Sequence, residues 1–403
     1  MLNTPFSPWP SFTQIEADAV SQVLLSNKVN YWTGQECRQF EAEFAEWADS
    51  SYAIAMGNGT LALDVALQAL DIGVGDEVIV TPRTFIASIS SVINAGATPV
   101  FADVDEATGN ITPESIAAVL TEKTKGIVCV HLAGWPCDMD GIMALAEQHN
   151  LYVIEDCAQA HGALYKGRSV GSIGHIGAWS FCQDKIMTTG GEGGMVTTND
   201  EKLWRKMWAY KDHGKSYAAV YETEHPPGYR WLHESFGTNW RMTEMQGVIG
   251  RIQLERMSDW TAKRTANAHA ILDACTKWEA KKGYLSVPRL EVSSLFSDSK
   301  HAYYKLYVYV QAENLPDDWS RDRIIHEMNK QGVPCFSGSA SEVYLEKAFD
   351  NTGLRPEPRL SVAKKLGETS LMLLVHPTLT AAEIEKTVKA IDLVFTKIHQ
   401  SEA

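Results

Sequence analysis

The chain has 403 residues, 45% apolar and 21% charged, with 36 basic against 50 acidic side chains and a net charge of −14. These proportions exclude a disordered polymer and describe a soluble globular protein with room for two or three domains. The acidic balance excludes wrapping nucleic acid or lying on an anionic membrane, because both need a basic face, but leaves room for a local anion site.

The opening "MLNTPFSPWPSF" has no basic start and no long apolar run, so no signal peptide is expected. Seven cysteines, at 37, 129, 137, 157, 182, 275 and 335, form no C-x-x-C pair. They read as reduced thiols of a cytoplasmic protein, with no structural metal site expected. Thr13 and Glu16 have capping-box spacing, which predicts a helix from about residue 14. "AIAMGNGTLALDVALQALDIG" reads as a short strand, a Gly-rich turn and a helix with Leu63, Leu67 and Leu70 on one face, stopped at Gly73.

The uncharged run Thr84 to Ala102 is long enough to raise the membrane question. Ser88, Ser90, Ser91, Asn94 and Pro99 favour a buried helix followed by a strand instead. "EVIVTP", "TPVFADVD", "GIVCVHL" and "LYVIEDC" are near-continuously apolar and alternate with helical segments, and "GGMVTTND" closes the series. Strands buried on both faces have this character, so the fold class expected is α/β with a mostly parallel sheet between helices. "YETEHPPGYRWLHESFGTNWRMT" is a long irregular loop of the kind that is often functional. A smaller α+β portion follows, with strands in "HAYYKLYVYVQ" and "SLMLLVHPT". The expected division is 1–258 for the N-terminal segment and large domain, and 259–403 for the small domain.

Three stretches carry chemistry. Asp156 stands where the strand "LYVIED" ends, the edge at which open α/β sheets bind ligands; alone it is a ligand partner or a cap. "GNGT" at 57–60 leads into a helix and suits a phosphate, but fits neither the dinucleotide fingerprint nor the P-loop. Lys185 lies in "SFCQDKIMTTGGEGGM", and a desolvated lysine can bond an aldehyde. A phosphate, a protonated ring nitrogen and an aldehyde occur together in pyridoxal 5′-phosphate, PLP.

With these residues in place, the sequence resembles the DegT/DnrJ-type PLP-dependent nucleotide-sugar aminotransferases, of the aspartate aminotransferase fold class. The strongest match is "VIEDCAQAHGALYKGRSVGSIGHIGAWSFCQDKIMTTGGEGGMVTTND", and the next is "GTNWRMTEMQGVIG". "NYWTGQECRQFEAEFAEW", "GNGTLALDVAL", "GDEVIVTPRTFIAS", "PVFADVD" and "VHLAGWPCDMD" match in order, and the last 140 or so residues only loosely. The resemblance implies PLP transferase fold type I, with a seven-stranded-type sheet. It implies that Lys185 holds PLP covalently and that pyridoxamine 5′-phosphate is the intermediate carrier.

Asp156 would pair with the ring nitrogen, Gln159 would reach the ring hydroxyl and Phe85 would stack on the ring. Gly59, Thr60 and Ser180 would hold the phosphate. Asn239 would reach it from a neighbouring subunit, so the active unit would be a homodimer with shared sites. The implied partners are L-glutamate with 2-oxoglutarate, and a nucleotide-linked keto-sugar, with C4 of a 6-deoxyhexose favoured and surface polysaccharide as the destination. Arg241, Trp240, Arg230 and Lys305 are the residues expected to meet substrate.

The chain departs from the family at Cys182, where a histidine is common, and in an extra glycine of "TTGGEGG". Asp184 reads as solvated or capping. His131, His161 and His175 read as structural, Cys157 and Cys182 lack an activating base, and Trp204 with Trp208 reads as core or dimer surface. A PLP-dependent sugar dehydratase shares the scaffold but replaces the lysine with histidine, so Lys185 argues against it. A non-catalytic PLP-binding regulator would have no need of the whole set.

Overall fold

A computed structural model of the chain describes residues 5–290 and 294–401; the first four residues of the N-terminal stretch lie outside it. Helix α1 (Gln14–Leu25) starts on the Thr13–Glu16 capping box, both of whose hydrogen bonds are formed. Such a cap contributes about 1 kcal/mol. Helix α2 (Glu36–Trp47) buries Cys37, Phe40 and Phe44.

The large sheet contains β1 (Tyr52–Met56), β2 (Glu77–Val80), β3 (Thr98–Phe101), β4 (Thr124–Val130), β5 (Tyr152–Asp156), β6 (Ile176–Ser180) and β7 (Gly194–Thr198). Their order is β1-β7-β6-β5-β4-β2-β3. Only β7 runs against the rest, pairing antiparallel with β1 and β6. The expected mostly parallel sheet is therefore present. Its strands are buried on both faces, which is why they read as unbroken apolar runs. Each fully buried Val, Leu or Ile contributes about 1.5–3 kcal/mol of transfer free energy.

Strand β6 was not expected from its own residues, since "IGAWS" has a single β-branched member. Its glycine explains the choice: a Cβ on Gly177 would stand 2.5 Å from both the Gly171 carbonyl and Thr197 Oγ1. Helices α3 (Gly59–Ala69) and α4 (Ala87–Asn94) pack beside the sheet, α3 burying Leu63 and Leu67 and its C-cap Leu70 also buried. The run from Thr84 is thus a helix and then β3, as expected.

The helix Met257–Lys282 joins the two parts of the molecule. Met257 belongs to the core around α2 and β7, whereas Ala268 to Trp278 belong to a second core. That core covers a four-stranded antiparallel sheet, with strands β8 (Leu285–Ser286), β9 (Leu306–Val310), β10 (Cys335–Phe336) and β11 (Ser370–Leu373) in the order β8-β9-β11-β10. Strands β9 and β11 are those expected. Among the described residues, no helix is long and apolar enough to cross a membrane.

Candidate active site

The carboxyl ends of β1, β2, β5 and β6 open on one side of the large sheet, onto a cavity of about 630 Å³. It is lined by Gly59, Thr60, Phe85, Asp156, Gln159, Ser180 and Lys185, so seven residues singled out in the sequence share one site.

The phosphate end follows from the cap of α3. Asn58 accepts from the N–H of Leu61 at 3.0 Å. The N–H groups of Gly59 and Thr60 are left at the helix N-terminus, where a helix presents its positive end. Ser180 packs against this turn, and a Cβ on Gly59 would lie 2.5 Å from the Ser180 Cβ. Only glycine keeps that cradle open.

Asp156, the last residue of β5, is 5% exposed. Ser88 donates to its Oδ2 at 2.7 Å, Ala158 N–H donates to Oδ1 at 3.1 Å, and Thr84 and Ser88 share a bond of 3.0 Å. These bonds fix the carboxylate on the cavity wall. Gln159 spends its Oε1 on the Ala133 N–H at 2.8 Å, so its amide N–H group is what remains for an acceptor. Phe85 is 67% exposed and faces the same space.

Lys185 lies in the turn joining β6 to the antiparallel β7, which returns the chain over the open edge of the sheet. The turn is pinned on several sides. Trp9 Nε1 donates to the Lys185 carbonyl at 2.8 Å, Thr188 N–H donates to Gln253 Oε1 at 2.9 Å, and Ile186 and Met187 are fully buried. Nζ of Lys185 lies 3.9 Å from Asp184 Oδ1 and 5.2 Å from the Tyr304 ring centroid. Asp184 is exposed, as expected, and it also accepts a short hydrogen bond from the Tyr304 hydroxyl. Burial pushes its carboxyl up, but Lys185 and Tyr304 outweigh this and hold it below the usual carboxylate range.

Asn239, Trp240, Arg241 and Arg230 do not reach this cavity within the chain. Asn239 and Arg230 are exposed. The Trp240 carbonyl accepts from Gly57 N–H at 2.9 Å, behind the phosphate turn. Arg241 is bound to Asp212 at 2.7 Å. Lys305 lies behind Tyr304, with Nζ 4.7 Å from the ring centroid. Sequence reasoning missed Ser88, Asp184 and Tyr304; a serine inside an apolar helix was the available signal for the first.

The histidines have structural surroundings. His161 packs on Trp179 and Phe181, and His175 Nδ1 accepts from Val153 N–H at 3.0 Å. His131, Glu155 and Cys157 are close enough to hold a metal ion. Their donor atoms are spent: His131 bonds Glu155 at 3.0 Å and Cys137 N–H at 3.0 Å, and Glu155 accepts from Gly171, Ile173 and Gly174. Burial pushes the Cys157 thiol up to about 12.

Comparison with known proteins agrees with this geometry. The DegT/DnrJ/EryC1/StrS aminotransferase family pattern matches residues 10–392. A crystal structure of an aminotransferase from Psychrobacter cryohalolentis is 88% identical, with a TM-score of 0.97 over 98% of this chain and 100% of that one. GDP-perosamine synthase of Caulobacter vibrioides is 37% identical over 360 residues, 88% of this chain and 89% of its own. The dTDP-3-amino-3,4,6-trideoxy-alpha-D-glucose transaminase of Streptomyces venezuelae is 31% identical over 93% of this chain and 90% of its own. With the fold, the cavity and these likenesses together, the chain belongs to the DegT/DnrJ/EryC1/StrS aminotransferase family.

Proposed function

We propose that the cavity binds PLP and transfers an amino group from L-glutamate to a nucleotide-linked keto-sugar, with C4 of a 6-deoxyhexose as the favoured position. The observation that carries this reading is the placement of Lys185 and Asp156 on one cavity whose far end is the free N-terminus of α3. The residues fit the cofactor. Gly59, Thr60 and Ser180 offer a phosphate cradle, Asp156 a fixed carboxylate for a protonated ring nitrogen, Gln159 an N–H for the ring hydroxyl and Phe85 an uncovered face. PLP would supply an aldehyde for a lysine and a ring that takes up electrons.

The chain supplies the rest. Lys185 Nζ takes the proton from the donor Cα and later returns one, as base and then acid. Asp184, beside it, keeps that amine over the cavity. Relatives named for GDP-linked and dTDP-linked sugars support a nucleotide-sugar acceptor. An amino-sugar product would serve surface polysaccharide.

Active sites shared in a homodimer complete the reading. Asn239 is exposed, and Trp231 and Phe236 on the same segment are 83% and 98% exposed, as expected of residues that meet a second copy. The test is the visible spectrum of the purified protein with and without L-glutamate. The reading requires a yellow protein whose band fades as 2-oxoglutarate forms. A protein colourless after incubation with PLP would overturn it.

A further inference from the structure

Asp184 and Tyr304 have a second face. They also wall a separate cavity of about 340 Å³, closed by the N-terminal segment at Phe6 to Trp9 and by Val375 and His376 of the small domain. Two cations border it. Arg264, from the helix Met257–Lys282, is 1% exposed. Its Nη1 donates to the carbonyls of Tyr303 at 3.3 Å and Tyr304 at 3.5 Å, while Nε and Nη2 have no partner. Its guanidinium lies 5.0 Å from the Trp9 ring centroid. Lys305 is half-buried, and neither cation has a carboxylate at ion-pair distance among the described residues.

The charge here does not balance. Among the described residues Asp184 is the one acid on the cavity wall, and Tyr304 and Lys185 already contact it. His376 adds no charge: burial, with Arg264 and Lys305 nearby, lowers its pKa to about 4. Burial lowers Arg264 to about 9, which leaves it cationic at neutral pH. A desolvated cation without a counter-ion is unfavourable, so an anion that enters is held strongly.

We propose that this cavity receives a carboxylate of the amino donor, contacted by Lys305 and drawn by the field of Arg264 behind it. The inference rests on the transamination reading above and names a residue pair for its donor. The donor amine must come to Lys185, and Asp184 and Tyr304 line both cavities, so the one bordered by the cations adjoins the one that holds Lys185. The volume, about half that of the neighbouring cavity, suits a carboxylate arm rather than a nucleotide.

The test uses PLP-loaded protein and glutarate, a dicarboxylate with no amine to react. Calorimetric titration should show glutarate binding, weakened at least tenfold in Lys305→Ala and largely recovered in Lys305→Arg. In turnover, Lys305→Ala should raise KM for glutamate and leave KM for the nucleotide sugar unchanged. Equal glutarate affinity in wild type and Lys305→Ala, or no binding to wild type, would overturn the proposal. So would a rise in KM confined to the nucleotide sugar, which would assign the cavity to a diphosphate. If glutamate gives no turnover at all, the transamination reading falls, while the glutarate titration still decides this one.

Discussion

The hydroxyl of Tyr304 donates to the carboxylate of Asp184 across 120 residues of sequence, and Lys185 lies over the same tyrosine ring. A residue far along the chain thereby holds the residue beside Lys185. Tyr304→Phe keeps the ring and removes the donor. It should lower the rate of the glutamate half-reaction about tenfold, since a misplaced proton-transfer group loses rate steeply. KM should change little. Stopped-flow absorbance across a pH series would check this, and an unchanged rate at every pH would refute a positioning role.

Asp156 depends on Ser88. A hydrogen bond to a charged group contributes about 1.5–3 kcal/mol, so Ser88→Ala should weaken PLP binding roughly tenfold. Asp156→Asn should retain the fold and lose most turnover, because the ring nitrogen loses its anionic partner. Fluorescence titration with PLP and steady-state assay separate the two effects.

Gly59→Ala forces a methyl into the Ser180 side chain, 2.5 Å away, at the mouth of the phosphate cradle. PLP affinity should fall by more than tenfold in a protein whose circular dichroism is unchanged. Normal affinity would mean the phosphate lies elsewhere.

Glu155 gives a pH signature. Burial pushes its carboxyl up, but the bond and charge of His131 and the N–H groups of Gly171 and Gly174 outweigh this, and the pKa falls below 4.5. A folded-state pKa below the unfolded one stabilises the fold above about pH 4.5, and this is lost as pH falls through the folded value. Glu155→Gln should therefore be destabilised at pH 7, and its gap from wild type should narrow as the pH falls below about 4.5. Urea unfolding at several pH values checks this; a gap that widens in acid would contradict the assignment.

Much of the site was legible because its residues follow local rules. A capped glycine turn, an aspartate after an apolar run and a lysine among glycines and threonines are short-range patterns that mark Gly59, Thr60, Asp156 and Lys185; Phe85, Gln159 and Ser180 were implied by the family resemblance, and the fold brings all seven to one cavity. What was not legible depends on contacts distant in sequence. The role of Asp184 was not legible because its partner, Tyr304, lies far along the chain. Arg264 was not singled out in the sequence, and only tertiary packing shows it buried with Nε and Nη2 unpartnered. Strand β6 was hidden because its small residues suit crowding from Gly171 and Thr197 rather than strand propensity. Asn239 and Arg241 matched the family pattern, yet in the single chain neither lines the cavity, and Arg241 is paired with Asp212.

The central claim is that Lys185 carries the cofactor. The most direct measurement is borohydride reduction of the PLP-loaded protein, followed by peptide mass spectrometry. The account predicts one phosphopyridoxyl-labelled lysine, Lys185, and no label at other lysines in the Lys185→Ala variant. A label on another lysine of the wild-type protein, or a yellow protein that leaves Lys185 unlabelled, would contradict it.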